Sequence, residues 1–189
     1  MKKNLENYVK KYSNFLDKKF CNETIKQIKN LKWEEHKFYD SKEKISVNVS
    51  KHQELENLFD PQNKNTDIIM KKIWPILKKY TEELNFHWFN SWNGYTRIRY
   101  NKYSFNKKMA EHCDHIHSMF DGSVKGIPTL SVLGILNDDY KGGEFIMFKN
   151  KEIKLKQGDL LIFPSVFLYP HRVEPVTKGV RYSFISWVW

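Results

Sequence analysis

From Gly94 to Trp189 the chain breaks into short runs of aromatic and β-branched residues, each ended by a turn signal. The runs are Gly94–Tyr100, Pro128–Leu136, Glu144–Phe148, Glu152–Leu155, Leu160–Phe163 and Arg181–Trp189. Gly142-Gly143, Gln157-Gly158-Asp159 and Thr177-Lys178-Gly179 punctuate them. Such spacing predicts an antiparallel sandwich or barrel, because each run is too short for a helix of useful length. Residues 1–85 read differently. Leu5, Tyr8, Val9, Tyr12, Phe15 and Leu16 recur at helical spacing and predict a first helix. Asn22 is the predicted N-cap of a second helix carrying Ile25, Ile28 and Leu31. A third is expected from Thr66 to Leu84, burying Ile69, Ile73, Ile76, Leu77 and Tyr80, with Pro75 kinking its interior. Residues 38–65 are polar and predict loops with short strands.

The expectation is therefore a mostly β, α+β single domain over 1–189, with helical support in 1–85 and a β-core over about 94–189. No apolar run reaches the roughly 18 residues of a membrane span. The N-terminus lacks an apolar signal core, so secretion is not expected. Two distant cysteines, Cys21 and Cys113, give no disulfide framework and point to a reducing, cytoplasmic compartment. The formal charge of +10 would attract nucleic acid or anionic ligands. The lysines are scattered rather than clustered, so a dedicated nucleic-acid surface is not favoured.

Within the β-core, three residues suggest chemistry. His112 and Asp114 lie two apart in Glu-His-Cys-Asp, and on a strand both would face inward with Cys113 turned away. His171, in Tyr-Pro-His-Arg-Val, would close a set of two imidazoles and one carboxylate from a distant strand. That set occupies one face of an iron ion and leaves other positions open. A His-x-Asp tripeptide alone is weak evidence; the downstream histidine and arginine strengthen it. The competing reading is a compact zinc cluster in His112-Cys113-Asp114-His115-Ile116-His117, against which stands the lack of a second ligand pair. His115 and His117 would fall on the opposite face, in a loop or at the mouth of the site. Arg181 opens the last strand and shares a face with Ser183, Ile185 and Trp187. A guanidinium there would hold a carboxylate through two hydrogen bonds.

Several blocks resemble one family. They are Arg99-Tyr100-Asn101-Lys102-Tyr103 leading to His112-Cys113-Asp114; Leu136-Asn137 followed by Gly142-Gly143-Glu144-Phe145; Gly158 to Pro164; and His171 to Val176 followed by Gly179 to Ser183. From about Thr96 to Trp189 the chain resembles 2-oxoglutarate- and Fe(II)-dependent dioxygenases of the prolyl 4-hydroxylase type, above all short single-domain bacterial and phage members. The resemblance implies a double-stranded β-helix (jelly-roll) core, with His112, Asp114 and His171 on Fe(II) and Arg181 on the distal carboxylate of 2-oxoglutarate. It implies that Tyr103 faces this cosubstrate and that Trp187 lines the substrate side. It further implies O2 as oxidant, ascorbate as reductant, and hydroxylation of peptidyl proline coupled to release of succinate and CO2. Met109 departs from the family, where a tyrosine is common. Asp114 favours hydroxylation, since related halogenases carry a small residue there. A nucleic-acid dealkylase of the same superfamily, hydroxylation of another side chain, and a non-catalytic binding module are the alternatives. The 38–65 stretch is a candidate lid over the substrate.

Overall fold

Period-two burial sorts the C-terminal half of the chain onto two facing sheets, and period-3.6 burial lays helices against one of them. The computed structural model describes residues 4–36, 38–40, 45–47, 54–85, 94–114 and 128–189. In chain order its strands are β1 (Lys10–Tyr12), β2 (Glu34–Glu35), β3 (Phe38–Asp40), β4 (Ile45–Val47), β5 (Glu56–Phe59), β6 (Arg99–Tyr103), β7 (Met109–His112) and β8 (Leu130–Ile135). They continue with β9 (Lys141–Gly142), β10 (Phe145–Met147), β11 (Lys151–Glu152), β12 (Leu160–Pro164), β13 (His171–Val173), β14 (Val176–Lys178) and β15 (Arg181–Val188). The helices are α1 (Lys18–Ile28) and α2 (Lys64–Leu84). Among the described residues the major sheet runs β1-β12-β8-β15-β6-β5-β2 and the minor sheet β11-β10-β13-β7, while β14-β9 and β3-β4 form small pairs. All the strand pairings are antiparallel. This is the double-stranded β-helix expected from the resemblance.

Alternation along the central strands creates two cores. On β15, Phe184 and Val188 face the helices, whereas Ile185 and Trp187 face the minor sheet. β12 divides in the same way, Leu160 and Ile162 to the helices and Leu161 and Phe163 inward. On α2, Ile69, Ile73, Leu77 and Tyr80 are buried against the sheet. Each such aliphatic side chain stabilises by about 1.5–3 kcal/mol on full burial. Asn63 caps α2, its Oδ1 accepting from Thr66 N at 2.9 Å. α2 is continuous through the exposed Pro75, where water can reach the carbonyl left without a donor. Thr66 Oγ1 and Tyr100 OH, 3.0 Å apart, tie α2 to β6.

Two N-terminal expectations are corrected. The first helix is absent: a 3-10 turn, Leu5–Tyr8, leads into β1, which pairs with β12 from Lys10↔Ile162 to Tyr12↔Leu160. The apolar spacing did mark buried positions, since Tyr12 and Leu16 reach the core. Pairing with the otherwise open edge of β12 gives the backbone a better partner than an isolated turn of helix. The N-cap of α1 is Asp17, accepting from Phe20 N at 2.8 Å, rather than Asn22. Asn22 lies inside the helix, and its side chain accepts from Gln157 Nε2 at 2.8 Å. The segment before residue 85 is thus not purely helical: β1, β2 and β5 extend both edges of the major sheet.

Gly134 sits opposite Phe184 in the β8–β15 register. A Cβ there would lie 2.0 Å from Phe184 Cζ, and that ring is fully buried, edge-on to Tyr100 at 6.4 Å. Gly134→Ala is expected to destabilise by about 1–3 kcal/mol through overpacking. Chemical denaturation checks this, and a variant as stable as the parent would mean that Phe184 has room to turn.

Candidate metal and cosubstrate site

Two cross-strand pairs from opposite sheets meet in the inner core. On the minor sheet His171 of β13 lies directly opposite His112 at the end of β7. On the major sheet Arg181 of β15 lies directly opposite Tyr103 of β6. Asp114, two residues beyond His112, enters between the sheets and is buried. A small cavity is lined by His112, Asp114, His171, Tyr103 and Arg181, together with Arg99.

The ligand set is preorganised. His112 Nε2 is 3.3 Å and His171 Nε2 3.7 Å from Asp114 Oδ1, and the two imidazole centroids are 4.4 Å apart. The potential donor atoms of the three residues lie within 4.8 Å of one another. Each histidine places Nδ1 near the carbonyl two residues earlier, His112 at 2.8 Å from Ala110 O and His171 at 3.1 Å from Tyr169 O. A proton on Nδ1 satisfies that carbonyl and leaves the Nε2 lone pair for a metal. Ser131 Oγ donates to Asp114 Oδ2 at 2.5 Å and is 2.8 Å from Ser165 Oγ. One carboxylate oxygen is thereby anchored while the other faces the imidazoles.

Electrostatics keep Asp114 and His171 in their ligand forms. Burial alone would favour the neutral acid of Asp114, but His171, His112 and the Ser131 hydroxyl outweigh it and hold the carboxyl well below the usual range. His171 is pushed down to about 4 by burial, with Asp114 opposing. Phe145 and Phe163 wall its ring at centroid distances of 5.3 and 5.0 Å. His36, buried nearby, is pushed down to about 3, first by burial and then by Arg99 and His112. The sign for stability follows from proton counts. The unfolded chain protonates its histidines near pH 6.5, whereas folded His171 and His36 resist until lower pH. In chelator-treated protein, stability is therefore complete above about pH 6.5 and is lost as the pH falls toward 4. Thermal melts over that range are expected to show a shallower decline for His171→Gln; an unchanged slope would remove His171 from this account.

Arg181 is 1% exposed. Its Nη1 donates to Ser183 Oγ at 3.0 Å, and its Cζ stands 4.8 Å from the Tyr103 ring centroid. Its Nε is buried without a hydrogen-bond partner among the described residues. A buried guanidinium with an idle donor and no ion pair among the described residues calls for an anion. Gly143, at φ +67°, passes so close that a Cβ would be 3.0 Å from Arg181 Cδ. Tyr103 is buried, and its pKa is raised by desolvation despite Arg181 and Arg99. Trp187 is also buried and meets the site through Arg99, whose Cζ is 4.9 Å from the indole centroid.

The structure thus brings His112, Asp114, His171, Tyr103 and Arg181 together and sets Trp187 behind Arg99. His115 and His117 lie outside the described residues, as does much of the 38–65 stretch; Leu55, within its described part, lines the cavity. Four participants were not singled out from sequence: Arg99, Asn101, Ser131 and His36. Arg99 and Asn101 are at period two from Tyr103, so strand alternation alone could have found them. Ser131 is the polar residue in the run Leu130-Ser131-Val132-Leu133. His36 stands in a polar segment and carries no such signal.

Comparison with known proteins finds relatives in sequence and in fold. Residues 98–189 match the family model of the 2OG-Fe(II) oxygenase superfamily. A PKHD-type hydroxylase of Xylella fastidiosa is 36% identical over 107 residues, covering 48% of this chain and 43% of the relative. Another from Aliarcobacter butzleri is 48% identical over 54 residues, covering 27% and 23%. The chain therefore matches less than half the length of these curated relatives. Two solved structures share the fold over nearly the whole chain. A viral collagen prolyl hydroxylase of Paramecium bursaria Chlorella virus-1, in its 2OG complex, has a TM-score of 0.67 at 18% identity, covering 96% of this chain and 94% of that one. A Trichoplax adhaerens prolyl hydroxylase, in complex with a hypoxia inducible factor peptide fragment, has a TM-score of 0.71 at 20% identity, covering 97% and 84%. Residues 98–189 are thus similar in sequence to the 2OG-Fe(II) oxygenase superfamily and to PKHD-type hydroxylases, and the described residues share the fold of prolyl hydroxylases of solved structure.

Proposed function

We propose that the protein is an Fe(II)- and 2-oxoglutarate-dependent hydroxylase acting on peptidyl proline. The observation that carries the reading is the pairing of a buried His112–Asp114–His171 donor set with a buried Arg181 whose Nε has no partner among the described residues. The donor set suits ferrous iron: two imidazole nitrogens and one carboxylate oxygen, converging from one side. Arg181 suits the distal carboxylate of a dicarboxylate cosubstrate, with Tyr103 beside it. Bound there, iron and 2-oxoglutarate would activate O2 toward an unactivated C–H bond, one oxygen atom going to the substrate and the other to succinate, with release of CO2.

The chain's own residues do the rest. Ser131 fixes Asp114, the Ala110 and Tyr169 carbonyls fix the imidazole tautomers, and Phe145 and Phe163 exclude water from His171. Proline as target is supported by the likeness to prolyl hydroxylases, one of them holding a peptide. Ascorbate is the proposed reductant. Two free cysteines, Cys21 and Cys113, fit a reducing cytoplasmic setting. The whole of 1–189 is proposed to act as one domain, since α2 packs on the same sheet that carries Arg181.

Succinate release with ferrous iron, ascorbate and 2-oxoglutarate, with and without a Pro-rich peptide, tests the reading. Stimulation by the peptide and a gain of about 16 Da on proline, one oxygen atom, are expected. Slow succinate release that no peptide stimulates would keep the oxygenase and reject proline. No succinate from iron-loaded protein would reject both.

A further inference from the structure

A second arginine stands in the same cavity. Arg99 precedes Tyr103 by two inward-facing positions on β6 and lies opposite Ile185 of β15. Its Nε donates to Asn101 Oδ1 at 3.1 Å, and its guanidinium lies against Trp187. The side chain is partly buried, and its two terminal nitrogens form no hydrogen bond and no ion pair among the described residues. The neighbouring Trp187 Nε1 is buried and has no acceptor there. Two adjacent donor groups thus lack acceptors among the described residues, Arg99 lining the cavity and Trp187 beside it.

Charge sharpens the point. Asp114 is the one carboxylate among the residues lining the cavity, set against two guanidiniums. Its Oδ2 is taken by Ser131, and its Oδ1 faces His112 and His171. A divalent ion would claim that negative charge, and a cosubstrate carboxylate would satisfy Arg181. Arg99 would then be a partly buried cation beside the reacting centre with no ion-pair partner among the described residues, an arrangement that favours an incoming anion. The rigid guanidinium fork, stacked on an indole, is suited to grip a carboxylate with two donors.

We propose that Arg99 determines substrate specificity by receiving a carboxylate that the substrate carries close to the hydroxylated carbon. This rests on the hydroxylase reading above and narrows its substrate class. The carboxylate can belong to an acidic residue adjoining the target in a peptide or to the α-carboxylate of a free amino acid. Asn101 is the positioning residue, holding Nε so that the outer nitrogens stay available.

Binding to iron- and 2-oxoglutarate-loaded protein under anaerobic conditions tests this without requiring turnover. The calorimetric panel pairs a Pro-containing peptide bearing Asp beside the proline with its Asn counterpart, and free L-proline with its amide. In at least one pair the carboxylate member is expected to bind at least about tenfold tighter than its neutral partner, as for loss of a charge-assisted hydrogen bond. In Arg99→Gln the ratio within the favoured pair should fall to about one, and Arg99→Lys should restore part of it. Because the readout is a ratio within one protein, a general loss of folding does not mimic it. A preference confined to the peptide pair identifies an acidic neighbour; one confined to the proline pair identifies the α-carboxylate. Equal binding within both pairs by the parent protein, binding of neither, or a ratio that survives Arg99→Gln overturns the proposal. Hydroxylation of the neutral peptide alongside such a result would leave the prolyl reading standing. Succinate production without any preference would leave only the oxygenase.

Discussion

Asp114→Ala is expected to lose tight iron binding and to reduce 2-oxoglutarate turnover by more than about a hundredfold. Loss of a mere supporting partner of a metal ligand already costs about 10–100-fold in metal affinity or activity. Asp114 contributes the one anionic oxygen of the set, and both imidazoles are aimed at it, at 3.3 and 3.7 Å. Without it two neutral nitrogens would have to hold a divalent ion alone. The variant should still fold, because Ser131 keeps Ser165 as a hydrogen-bond partner after the carboxylate is gone. Asp114→Asn preserves the shape but not the charge and should also lose iron. Ser131→Ala keeps the carboxylate and frees its orientation, so its loss should be smaller, within the range for a supporting partner. Iron affinity by chelator competition, with succinate release, separates the three. A fully active Asp114→Ala would end the assignment. Equivalent changes at His115 and His117 discriminate the rival read from the sequence. Metal lost there, but retained in His171→Ala, would move the site to the compact zinc cluster.

How much of this was legible in the sequence depends on whether the evidence was local. His112 and Asp114 were readable because residues two apart on an extended chain face the same way, and Asp114 does so although β7 ends at His112. Arg181, Ser183, Ile185 and Trp187 were readable for the same reason. The first helix was misread because periodicity reports which side chains are buried, not which backbone they hang on. Tyr12 and Leu16 are buried as expected, yet the partner that makes residues 10–12 a strand is β12, far along the chain. Tertiary pairing overrode the local pattern. Ser131 illustrates the other limit. A serine in an apolar strand can be recognised as unusual, but its partner, Asp114, is defined only once the sheets are closed. Arg99 lies in the block Arg99–Tyr103, and alternation from Tyr103 alone turns it inward. Its chemistry, one engaged nitrogen and a stacked indole, needed the register of β6 with β15.

Arg181→Met is expected to move two quantities in opposite directions. In the absence of cosubstrate the parent protein holds a guanidinium at 1% exposure, with Ser183 as its one hydrogen-bond partner among the described residues. Replacing a buried, uncompensated charge by an apolar chain of similar length is often neutral or stabilising, by up to a few kcal/mol. The ligand-free variant should therefore melt no lower than the parent. Added 2-oxoglutarate tells the opposite story. At a hundredfold excess over Kd, a ligand that binds only the folded state stabilises it by about 2.7 kcal/mol. The iron-loaded parent should show that gain, and Arg181→Met should show little of it. Charge-assisted hydrogen bonds are worth about 1.5–3 kcal/mol, so KM for 2-oxoglutarate should rise by roughly ten- to 150-fold. Arg181→Lys retains the charge without the planar fork and should fall between the two. The crossed result distinguishes a cosubstrate-binding arginine from a structural one. A structural role would lower the ligand-free melting temperature and leave the 2-oxoglutarate shift intact in whatever protein remained folded.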